Sequence, residues 1–79
     1  MKNIIIEILK EIDPSVAYDR CTTLVSDRYI SSLAMVALIP ELEDVFDVEI
    51  PAVEIIATNF DSVDAIVALI KRLQEEYED

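Results

Sequence analysis

Apolar residues recur at the spacing of a helix face in three stretches of this chain, and that periodicity dictates an all-α bundle. In the first stretch, about Lys2 to Ile12, Ile5, Ile8, Leu9 and Ile12 stand at i, i+3, i+4 and i+7, and Asp13-Pro14 ends the helix. The second begins at Ser32 and ends near Asp47, with Met35, Leu38, Ile39, Leu42, Val45 and Phe46 on two adjacent ridges. Pro40 lies inside it and has no N–H to donate, which predicts a kink or an exposed carbonyl. The third carries Val63, Ile66, Val67, Ile70, Leu73 and Tyr77 on one face. It opens at Asn59-Phe60-Asp61-Ser62, with Ser62 as N-cap and Asp64 in the first turn, where the helix dipole favours a carboxylate. Ile50-Pro51 closes the turn after the second helix, and residues 52–57 (AVEIIA) are predicted to form one short helix. The expected fold is a small bundle of three main helices plus one short helix, in a single domain spanning residues 1–79. Residues 13–31 form a long loop between the first two helices, with room for one helical turn. A loop of that length needs either a function or anchoring by its few apolar residues, Val16, Tyr18, Leu24 and Ile30.

Size and charge narrow the function. A chain of 79 residues buries a thin core and has little depth for a catalytic cleft. Its 17 acids and 6 bases give a net charge of −11, of which residues 41–79 hold −10 and residues 1–40 only −1. That asymmetry argues against nucleic acid, whose phosphates need clustered Lys and Arg, and favours partners with basic surfaces. Any single carboxylate still reads first as a solubilising group. Cys21 stands alone, so no internal disulfide forms and a reducing, cytoplasmic setting is expected. It reads as a small, half-buried hydrophobe. There is no His, no Cys pair and no DxDxDG loop, which removes the usual zinc and EF-hand constellations; acids alone bind a divalent cation weakly. The absence of glycine removes phosphate loops of the Walker and Rossmann kinds. Glu7 and Lys10 break the apolar run at Ile4-Ile5-Ile6 far short of a membrane span. The hydroxyls and the thiol lack an activating base, and the carboxylates fall on solvated faces, so no enzyme is expected. Phe46, Phe60, Tyr18 and Tyr77 read as core packing, and Glu75-Glu76-Tyr77-Glu78-Asp79 as a solvated end.

Ser32 stands at the junction of the long loop and the second helix. Two readings apply to it. As an N-cap, its hydroxyl accepts a backbone N–H of the first turn. As a modification site, the same position presents a hydroxyl at the positive end of a helix dipole, where a phosphodiester is favoured.

The surrounding residues bear on that choice. Ile30-Ser31-Ser32-Leu33, followed by Glu41-Leu42-Glu43-Asp44-Val45-Phe46-Asp47-Val48-Glu49-Ile50-Pro51, resembles the acyl carrier protein family. In that family Asp-Ser-Leu opens the second helix and a segment of the type Glu-x-Phe-x-(Val/Ile)-x-(Ile/Leu)-Pro follows. Phe46 lies 14 positions after Ser32 and Pro51 lies 19 after it, the family's spacing without gaps. Asn59-Phe60-Asp61-Ser62-Val63-Asp64-Ala65-Ile66 is similar to the start of the family's last helix. The resemblance covers about residues 1–73 and is nearest to free-standing carriers related to D-alanyl carrier proteins.

The resemblance implies that Ser32 receives 4′-phosphopantetheine from coenzyme A through a phosphopantetheinyl transferase. The arm's thiol then carries an acyl or aminoacyl group as a thioester, in fatty-acid or secondary-metabolite biosynthesis. It implies as partners an adenylate-forming ligase, or acyltransferase and synthase enzymes with basic docking surfaces, acting on a monomeric carrier. Ser31 replaces the family's Asp, placing a second hydroxyl beside the acceptor; spacing favours Ser32. Leu33 matches an apolar contact residue of the family, with burial in the core as the other reading. Ala34 and Ala37 stand where relatives often have acids, so docking is expected to be apolar near Ser32 and electrostatic farther along, at Glu41, Glu43, Asp44 and Asp47. The alternative is an unmodified acidic helical interaction module docking on a basic partner protein, with Ser32 only a cap.

Overall fold

The computed structural model describes residues 1–77, with side chains through Glu76. It is all-α: α1 spans Lys2–Ile12, α2 Ser32–Phe46, α3 Ala57–Phe60 and α4 Val63–Tyr77, with a 3-10 turn at Ala52–Glu54. α1 packs against both α2 and α4, and α3 packs against α4. Among the described residues no charged side chain is buried in the core, and its one polar side-chain group is the Tyr18 hydroxyl. Ile5, Ile8 and Leu9 enter the core from α1, Leu38 and Leu42 from α2, Phe60 from α3, and Val63, Ile66, Leu69, Ile70 and Leu73 from α4. Apart from Phe60 and Leu69, which stand in no predicted stripe, these residues follow the helical spacing, because a helix in water is held by burying one face more than by its intrinsic propensity. Val45 departs from its stripe and is exposed. Tyr77 ends α4 as the spacing requires, but its side chain and residues 78–79 lie outside the described residues.

Two helix ends follow the sequence reading. Ser62 Oγ accepts the Ala65 N–H at 3.0 Å, capping α4, and Asp47 ends α2 in a left-handed conformation (φ 54°). With no glycine in the chain, Asp takes that position, which its short polar side chain tolerates better than most. α2 runs through Pro40 without interruption, and Pro40 stands on the exposed side of the helix.

The segment predicted as one short helix divides in two. Residues 52–54 form the 3-10 turn, Ile56 is extended (φ −128°), and α3 begins only at Ala57. Neither piece has a side-chain cap, and Ile55 and Ile56 are β-branched, so nothing in AVEIIA offsets the cost of helix nucleation. Asn59 and Phe60 consequently end α3 instead of opening α4. Asn59 donates its side-chain N–H to the Glu54 carbonyl at 2.8 Å, and Arg72 pairs with the Glu54 carboxylate, fastening the turn to α4.

The loop of residues 13–31 is folded onto the bundle. The radius of gyration, 11.7 Å, equals the roughly 11.6 Å expected of a compact 79-residue chain. Leu24, Tyr18 and Ile30 are buried, and Val16 and Val25 pack against the core. Tyr18 Oη donates at the C-terminal end of α1, lying 3.1 Å from the Leu9 carbonyl and 2.6 Å from that of Asp13. Desolvation, with a smaller contribution from the Asp13 charge, raises the phenol above its ordinary value, so the donor stays protonated. Isolated i+4 turns occur at Ala17–Cys21 and Thr23–Asp27, and neither continues into a helix.

Candidate functional site

Ser31 and Ser32 divide two tasks that the sequence reading gave to one residue. The N-cap of α2 is Ser31, not Ser32: its backbone is extended (φ −75°, ψ 168°) and its Oγ accepts the Ala34 N–H at 3.1 Å. An N-cap needs that non-helical backbone to fold its oxygen over the first turn. Ser32, one residue later, is already helical, so its side chain leaves the helix instead of returning to it. It is exposed, and its hydroxyl makes no hydrogen bond to a described residue. Two adjacent serines offered no local means of deciding which would cap.

The loop that delivers these serines is fixed at a distance. Asp61, between α3 and α4, accepts the Val25 N–H (3.0 Å) and Ser26 N–H (2.8 Å) on Oδ1 and the Ser26 hydroxyl (2.7 Å) on Oδ2. Its carbonyl accepts the Leu24 N–H at 2.8 Å, and the Leu24 carbonyl accepts that of Ile30 at 2.8 Å. The side-chain bond from Ser26, then that residue's N–H, hold the Asp61 carboxyl below the ordinary aspartate value, against a smaller opposing effect of burial. The chain reverses at Arg28, which takes a left-handed conformation (φ 62°) and donates its N–H to the Val25 carbonyl at 3.0 Å. That reversal opens a groove of about 520 Å³ beside the serines, lined by Val25, Arg28, Ile30, Ser31, Ser32 and Met35.

From Ser32 onward α2 presents a solvent-facing stripe. Leu33 (83% exposed) and Val36 (72% exposed) are followed by exposed Ala37, Pro40, Glu41 and Asp44. Their spacing of three and four residues makes one face, apolar near Ser32 and acidic toward the far end. Leu33 is therefore a surface residue and not core. Two other predicted contact residues are differently placed. Ala34 is half-buried against the core, and Glu43 is half-buried with its Oε2 accepting the Ile50 N–H at 2.9 Å, which holds the turn after α2. Val36 and Arg28 were missed by sequence reasoning. Val36 was detectable as an apolar residue left off the buried stripe three positions after Leu33, whereas Arg28 gave no periodic signal.

A second groove of similar size, about 500 Å³, lies between Ile50, Pro51 and Leu73, walled by Glu43, Glu49 and Glu76. Those carboxylates make it unsuitable for an anion. Cys21 is half-buried, 3.8 Å from Thr23 Oγ1. Among the described residues no group of three or more His, Cys, Asp or Glu is placed to hold a metal, and no helix is long and apolar enough to cross a membrane. Comparison of the chain with models of protein families, with curated proteins and with solved structures returns no match.

Proposed function

We propose that this chain is a carrier protein, not itself an enzyme, that holds an acyl or aminoacyl cargo as a thioester on a 4′-phosphopantetheine arm attached to Ser32. The observation that supports it is the division of labour at the start of α2: Ser31 caps the helix, which leaves the Ser32 hydroxyl exposed and uncommitted. The residues present fit the group. The first turn of a helix and the Arg28 side chain both offset a phosphodiester's charge, and no carboxylate lines the adjoining groove.

Attachment is a phosphoryl transfer. Ser32 Oγ forms a bond to the β-phosphorus of coenzyme A while the bond from that phosphorus to the departing 3′,5′-ADP breaks. The hydroxyl proton passes to a base of the phosphopantetheinyl transferase. The chain contributes an acceptor and a docking face, and the flexible arm raises the effective concentration of its cargo at each docked enzyme. The exposed stripe Leu33–Val36–Ala37, followed by Glu41 and Asp44, suits a charging ligase or acyltransferase whose docking surface has an apolar centre and a basic rim.

Incubation with coenzyme A and a broad-specificity phosphopantetheinyl transferase is expected to add one phosphopantetheine, read by intact mass. Ser32→Ala abolishes the addition and Ser31→Ala does not. A wild-type chain left unmodified by several transferases favours the second reading, an acidic interaction module that uses the same α2 face without an arm. That reading draws on Ser31, which stands where carriers have an Asp.

A further inference from the structure

Lys2, Arg20 and Arg72 each have a carboxylate within ion-pair distance. Three of this chain's six cations, Lys10, Arg28 and Lys71, form no ion pair among the described residues, and of these three only Arg28 lines the groove that contains Ser32. In a chain of net charge −11, the wall of that groove holds a guanidinium and no acid. The rest of the lining is graded: Ile30 is buried, Val25 and Met35 are half-buried, and Ser31 is held by its cap. About 520 Å³ lies within the range of roughly 300–1,000 Å³ typical of small-molecule sites. The comparable groove at Ile50 and Leu73 is lined by three glutamates and is not bordered by Ser32, so it offers an anionic arm neither attachment nor attraction.

We propose that the proximal half of the arm rests in the groove between the loop and α2, its phosphodiester facing the Arg28 guanidinium and its branched dimethyl carbons lying against Val25, Ile30 and Met35. This rests on the carrier reading of Ser32 and makes Arg28 a positioning residue. The groove gives the arm a parked state, held by a charge-assisted contact and a small apolar surface, from which a docked enzyme draws the thiol outward. The turn at Arg28 is what brings the cation back toward Ser32, and that turn is fixed by the bonds of Asp61 to Val25 and Ser26.

The test uses isotope-labelled full-length chain, loaded by coenzyme A and a broad-specificity transferase, with intact mass measured first. A wild-type chain that gains no mass overturns the carrier reading, and this proposal with it. With loading established, nuclear Overhauser contacts are expected from the arm's dimethyl protons to methyl groups of Val25, Ile30 and Met35. They should weaken several-fold in Arg28→Gln and persist in Arg28→Lys. Raising the ionic strength to about 1 M, where the screening length is about 3 Å, should weaken them in the wild type without any substitution. A loaded wild type lacking contacts at these three residues overturns the parked arm while leaving the carrier reading intact. Contacts that are indifferent to both Arg28→Gln and salt overturn Arg28 as the residue that positions the arm.

Discussion

Leu24→Ala tests whether the segment between α1 and α2 is core or covering. Leu24 lies in a loop, yet it is fully buried, its N–H bonded to the Asp61 carbonyl and its own carbonyl to the Ile30 N–H. Truncation to Ala removes three carbons from that position. At about 0.8 kcal/mol per buried methylene the transfer loss is roughly 2.4 kcal/mol. Because the backbone at residue 24 is tied on both sides, the space left behind collapses poorly, and the cavity brings the expected loss to about 3–4 kcal/mol. A domain of this size has a total stability of about 4–12 kcal/mol, so the substitution removes a quarter of it or more. Urea unfolding followed by far-UV circular dichroism measures this directly. The midpoint should fall with the slope unchanged, and the melting temperature should drop by roughly 12–30 °C. Leu33→Ala is the matched control: 83% exposed, it should change stability by less than about 0.5 kcal/mol. The reasoning fails if Leu24→Ala loses less than about 1 kcal/mol, or if the control loses as much as the test.

Two further predictions concern charge. The Asp61 carboxyl is held below its ordinary value of 3.8 by Ser26 and Val25, so its contribution is fully present above that value and is lost as pH falls through the depressed one. The difference in urea midpoint between wild type and Asp61→Asn should therefore be largest near neutrality and shrink below pH 3.8; a constant difference would show that ionisation plays no part. Neutralising Glu41 and Asp44 together should slow association with a charging enzyme most at low ionic strength and leave folding unchanged, whereas Glu43→Gln, which weakens the acceptor of the Ile50 N–H, should lower the urea midpoint. Association rates that ignore the double substitution would point to purely apolar docking.

What the sequence disclosed was what repeats locally. Ile5, Ile8 and Leu9, or Ile66, Ile70 and Leu73, announce their helices because one buried face fixes the period, and the pattern is strong enough to carry α2 across Pro40. Ser62 was legible as a cap because it is the one hydroxyl directly before its stripe. The division between Ser31 and Ser32 was not, since two neighbouring hydroxyls compete and the backbone angle of one residue decides. Residues 52–57 misled for the opposite reason: a run short enough to be shaped by Asn59, Glu54 and Arg72 has no periodicity of its own. The groove at Arg28 depends on Asp61 reaching back 35 and 36 positions to Ser26 and Val25, a relation that no local pattern contains.

That same reach has a consequence for the order of events in the cell. Until residue 61 has left the ribosome, the carboxylate that holds Val25 and Ser26 and the carbonyl that accepts the Leu24 N–H are both missing, as are the core residues Phe60, Val63 and Ile66. Ser32 is translated ahead of all of these, but the loop that leads into it is fastened only when the residues around α4 have arrived. If Ser32 is modified as proposed, a transferase that reads the shape around it would act only after α4 has been made, and a message truncated before α4 would yield chains that carry the serine and escape modification.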